Sequence, residues 1–72
     1  MTIDQLITAG QLLYGDKWQA NLARSLNVDV RRIRHWTAGT RPISDFVDSE
    51  VRQLLIDKQK KIDDFLKNNK DK

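Results

Sequence analysis

The chain has 72 residues, with 13 Lys and Arg against 10 Asp and Glu, one His and no Cys. This length predicts one domain spanning 1–72, and the composition excludes disulfides, thiolate nucleophiles, Cys-based zinc sites and His-rich metal sites. With no apolar run near the ~18 residues of a membrane span and no positive n-region at Met1-Thr2-Ile3-Asp4, the expectation is a cytoplasmic chain without cofactor that binds rather than catalyses.

Thr2 with Gln5 three residues on is a capping-box pattern, which predicts a first helix starting there. Ile3, Leu6, Ile7, Gly10 and Leu13 follow the spacing of an amphipathic stripe, and Gly15 is placed to end the helix at Tyr14. Asp16, with Gln19 as its capping-box partner, is expected to open a second helix whose apolar face is Leu22, Ala23 and Leu26. Asn27 ends it, because asparagine tolerates the left-handed backbone of a tight turn better than most residues. Val28 lies in that turn, Asp29 caps a third helix, Ile33 and Trp36 point it inward, and Gly39 closes it. Thr40-Arg41-Pro42 is a loop, since the residue before proline is pushed away from helical angles. Ser44 or Asp45 then opens a long last helix over 44–68, with Phe46, Val47, Val51, Leu54, Leu55, Ile62, Phe65 and Leu66 as apolar positions. The polar end from Lys67, and 69–72 above all, is expected to fray. The predicted fold class is all-α, a bundle of about four helices.

The net charge of +3 is unevenly spread. Residues 17–41 carry Lys17, Arg24, Arg31, Arg32, Arg34 and Arg41 against Asp29 alone, a net +5, between acidic segments of −2 each at 1–16 and 42–56. Arginine dominates there, and its planar fork suits phosphate and base-edge recognition better than the point charge of lysine. A polyanion is the partner this pattern implies.

Gln19 to Ala38 reads as two helices joined by a tight turn, with small Ala23 where they cross and Val28, Ile33 and Trp36 wedging the second against the first. This is the helix-turn-helix arrangement, which presents its second helix to the DNA major groove. Turning about 100° per residue from an inward direction between Ile33 and Trp36, Arg31 and Ala38 point outward. Arg34 and His35 flank them, Val30 lies at the side, and Arg32 sits nearer the core rim. Arg31 is suited to guanine O6 and N7, and Asp29 is expected to be only a cap.

The run Trp18-Gln19-Ala20-Asn21-Leu22-Ala23-Arg24-Ser25-Leu26-Asn27-Val28 resembles the Cro and phage-repressor (XRE-type) family. So does Arg31-Arg32-Ile33-Arg34-His35-Trp36-Thr37-Ala38-Gly39, followed by Arg41-Pro42-Ile43 and, in the last helix, Leu54-Leu55. The resemblance is to short proteobacterial and phage proteins and covers nearly the whole chain. Departures are Asn27 where the family usually has Gly, His35 where Arg is common, and Ile33 for Val. The resemblance implies a lambda-repressor-like bundle and a homodimeric, sequence-specific regulator of a phage or prophage operon, expected to repress from a palindromic double-stranded operator. It carries base reading onto Val30, Arg31 and His35, and phosphate contact onto Gln19, Thr40 and Arg41. Lys17, Arg32 and Arg34 add phosphate contacts by their charge.

Several residues have a second reading. Arg32 either meets DNA or pairs with an acid such as Asp48. Trp36 is expected in the core, whereas Trp18 either packs over the first helix or also donates its indole N–H to phosphate. From Asp45 to Asn68 the last helix would span roughly 36 Å, longer than a three-helix body needs. Val51, Leu55, Ile62, Phe65 and Leu66 are therefore expected to serve dimerisation, with Asp57, Lys58, Lys60 and Lys61 as its wet face; the alternative is a helix that folds back on its own domain. In a different functional class, an adaptor such as an antitoxin or anti-repressor would use this helix to cover a partner protein.

Overall fold

A computed structural model describes residues 1–69. It contains helices α1 (Ile3–Tyr14), α2 (Trp18–Leu26), α3 (Val30–Ala38) and α4 (Asp45–Asn68), and no strand among the described residues. No helix among them is long and apolar enough to cross a membrane.

Local chemistry sets most boundaries. Thr2 Oγ1 accepts the Gln5 N–H at 3.1 Å while Gln5 Oε1 accepts the Thr2 N–H at 2.9 Å, completing the capping box of α1. Asp29 accepts the Arg31 N–H at 3.0 Å to start α3, and Ser44 accepts the Val47 N–H at 3.2 Å to start α4. At the end of α2, Asn27 adopts φ 57° and ψ 44°, a left-handed conformation. The chain thereby turns back so that the Val28 N–H reaches the Ala23 carbonyl at 2.9 Å, satisfying a carbonyl the helix end leaves open. Gly39 does the same for α3 at φ 79° and ψ 10°.

The start of α2 departs from the expected pattern. Asp16 does not cap it; the N-cap is Lys17, at φ −98° and ψ 47°, and no side chain bonds the open N–H groups of the first turn. The first residue of α2, Trp18, drops into the core. Its ring lies against Gly10 of α1, so close that a Cβ at position 10 would sit 2.1 Å from Trp18 Cε3. Gly10 is thus a small step in the α1 surface that an indole fills.

The core joins Leu6, Ala9 and Leu13 of α1 to Trp18, Leu22 and Ala23 of α2, Ile33 and Trp36 of α3, and Val47 and Val51 of α4. Two apolar expectations fail here. Ile3 is at the rim rather than inside, with Ala9 taking a core place, and Phe46 is 71% exposed because its neighbour Val47 faces α1 instead. Val51 is fully buried in this same core, so it is not a free dimerisation residue, whereas Leu55 is half-buried against it. The first half of α4 lies along α1, where Val47 and Val51 are buried and Leu54 and Leu55 are half-buried.

Lys58 marks where that contact ends. Rather than standing in water, its Nζ donates to the last-turn carbonyls of α1, Leu12 O at 3.0 Å and Leu13 O at 2.6 Å. The last turn of α1 has no basic residue of its own, and a cation there offsets the negative end of the helix dipole. Replacing Lys58 with methionine keeps the stem and removes the charge. It should lower stability by about 0.3–1 kcal/mol, a few degrees in a thermal melt; an unchanged melt would show that the contact contributes nothing.

Beyond Lys58, every residue of α4 is exposed through Asn69, and the molecule measures 48 × 22 × 21 Å. The helix holds through Lys67 and Asn68, where fraying was expected, and closes with the Asn69 N–H on Phe65 O at 3.0 Å. The remainder of the expected frayed end, 70–72, lies outside the described residues.

Candidate nucleic-acid interface

The tight turn at Asn27 holds α3 across α2, and α3 is pinned by its two inward side chains, Ile33 and Trp36. Its opposite face is then determined by helix geometry. Arg31, Arg34 and Ala38 are exposed, as the helical rotation requires, and His35 beside them is half-buried. Val30 is half-buried, and Arg32 is exposed rather than set into the core rim.

None of the α3 arginines has an ion-pair partner among the described residues. In particular Arg32 does not pair with Asp48. That carboxylate is taken by Arg52 one turn along α4 and by the Met1 amino group at 3.5 Å, and the Arg52 hydrogen bond above all holds Asp48 below the usual carboxylate range. Asp29, the one acid between 17 and 41, is occupied as a cap. The positive charge of α3 is therefore uncompensated by any neighbouring carboxylate of α3 itself.

A shallow cleft runs between the start of α2 and the start of α3. Lys17, Gln19 and Ala20 line one wall, Val30 and Arg34 the other, and Asp16 the rim. The side-chain-free N-terminus of α2 is at this cleft, with open N–H groups beside Lys17. Helix N-termini carry partial positive charge and donors that suit an anion, so the missing cap leaves capacity for one. Asp16 and Ala20 were not expected at this place. Their i, i+4 spacing is the only trace in the sequence.

Trp18 is 4% exposed and its ring packs over Gly10, so the ring belongs to the core. Arg41 is exposed in the loop after α3. Thr40 is exposed too, but its hydroxyl is turned to His35, with Oγ1 at 3.0 Å from His35 Nδ1 and 3.2 Å from the His35 carbonyl. Lys17, Gln19, Val30 and Arg34 thus meet at one cleft, whereas Arg31, Arg32 and His35 lie elsewhere on α3 and Arg41 in the loop that follows it. Comparison with protein-family models, curated proteins and solved structures gives no match for this chain.

Proposed function

We propose that this chain is a homodimeric, sequence-specific regulator of transcription that binds double-stranded DNA, a cytoplasmic repressor of a phage or prophage operon. The observation that carries this reading is the outward face of α3, where Arg31, Arg34 and half-buried His35 stand without acidic partners on a helix braced by a left-handed turn. A helix of this kind fits the major groove, whose base edges are distinguishable by donors and acceptors. Arg31 reads guanine O6 and N7 as a bidentate donor. Lys17, Gln19, Arg34 and Arg41, with the open first turn of α2, take the phosphates that flank the groove. Two copies related by a two-fold axis place two such helices one helical turn of DNA apart, about 34–36 Å, on a palindrome.

Gel shifts on the region upstream of the protein's own coding sequence, with and without competitor DNA, test the reading. Binding should weaken by roughly 10³–10⁵ between about 50 and 200 mM salt, because the phosphate contacts release counterions. Absence of any shift at moderate salt would reject the proposal. Arg31→Ala should cost about 1–3 kcal/mol on the selected site and relax preference at one base position. An equal loss on random DNA would move Arg31 to the phosphates.

A further inference from the structure

We infer that Thr40 is a positioning residue, which holds the His35 ring so that a single nitrogen, Nε2, is offered to a base edge. The inference rests on the DNA-binding reading for its target, but its geometry is independent of that reading. Thr40 was expected to touch phosphate. Instead its hydroxyl lies 3.0 Å from His35 Nδ1, across the helix end that Gly39 closes. The same hydroxyl is 3.2 Å from the His35 carbonyl, and the Thr40 N–H donates to that carbonyl at 3.0 Å. Residue 40 therefore makes three hydrogen bonds to residue 35, two to its backbone carbonyl and one to its ring.

This grip has a chemical consequence. An imidazole offers two nitrogens, and a ring free to turn about its χ angles can present either to a ligand. With Nδ1 engaged by Thr40, only Nε2 has no protein partner among the described residues. His35 lies one turn beyond Arg31, so the two side chains address neighbouring base pairs from one face. Arg31 makes a two-point contact with its base, whereas His35 makes a one-point contact that carries information only if the ring is held still. An unanchored ring could exchange nitrogens or swing aside, and the preference at its base pair would fall. Thr40 belongs to the loop that also bears Arg41, so the seating of that loop on the backbone and the aim of the ring are mechanically joined.

The test is a double-mutant cycle on the full chain, read with sites selected from a random DNA pool. Thr40→Val removes the hydroxyl and keeps the shape. It should reduce discrimination at one base position by roughly tenfold, leave preference at the Arg31 position intact, and leave non-specific affinity unchanged. Thr40→Ser should restore discrimination. In a His35→Ala background Thr40→Val should have no further effect, since residues that act through one another are not additive. Full additivity with uniform loss on all DNA would overturn the proposal in favour of a direct phosphate contact. The ring nitrogen resonances of His35 in the free protein give a second readout, and Thr40→Val should move them. Unmoved resonances would overturn the anchoring while the DNA reading stands; moved resonances with no DNA bound by the wild type would reject the base-reading role alone.

Discussion

An alanine at Gly10 is expected to destabilise the protein by about 1–3 kcal/mol, lowering the melting temperature by roughly 5–20 °C for a domain of this size. The sign is contrary to helix propensity alone, which favours alanine over glycine by about 1 kcal/mol. Propensity loses because the added Cβ would stand 2.1 Å from Trp18 Cε3, 2.4 Å from Cδ2 and 2.8 Å from Cζ3. Trp18 is nearly sealed in the core and is the first residue of α2, so its ring cannot withdraw without moving that helix. The displacement would reach the open first turn of α2, and so the cleft between Lys17 and Arg34. Trp18→Phe provides the control: the smaller ring leaves room for the new methyl, so the two substitutions together should cost less than their sum. A Gly10→Ala protein that melts at or above the wild type would mean that the indole does not rest on Gly10.

The Gly10–Trp18 contact also shows which part of the architecture is legible from the chain and which is not. Thr2, Asn27, Asp29, Gly39 and Ser44 mark their helix ends because capping is a matter of a few bonds between residues two to five apart. Ile33 and Trp36 orient α3 by periodicity, so the exposure of Arg31 and Arg34 follows from the same arithmetic. Asp16 has the same credentials as a cap, yet α2 starts beyond it, with Lys17 at the N-cap. Lys58 and Thr40 are equally hidden. Their partners lie across a tertiary contact or a side-chain bond over a helix end, and neither leaves a periodic trace. The stripe of α4 is ambiguous for a simpler reason. Val51, Leu55 and Ile62 occupy one face, but only the position of α1 decides which of them are covered.

Ile62→Lys combined with Phe65→Glu is expected to leave a folded monomer that has lost about 10²-fold or more in operator affinity, because binding two half-sites as one unit multiplies affinity by 10²–10⁴. Ile62, Phe65 and Leu66 are 48%, 63% and 58% exposed on the part of α4 that extends past the end of α1. The segment continues a helix already nucleated by its packed first half, and within the chain its apolar side chains remain largely uncovered. A partner helix would supply the missing packing. Half-burying these three side chains in each of two copies contributes on the order of 4–9 kcal/mol, against an association cost of about 4–15 kcal/mol. The balance is close, so the dimer should be weak and concentration-dependent in solution, and DNA should complete it. The paired substitutions introduce opposite charges, which preserves the net charge that steers the chain to DNA. Because both sites are on the surface of the folded chain, the stability of the monomer should change by no more than about 0.5 kcal/mol per substitution. Val51→Ala, in contrast, empties a fully buried position and should destabilise the monomer and the dimer alike. Sedimentation across a concentration series separates the cases. A wild-type protein that remains monomeric both free and on a full palindrome would remove α4 from the interface, and equal operator affinity of the wild type and the charged variant would do the same.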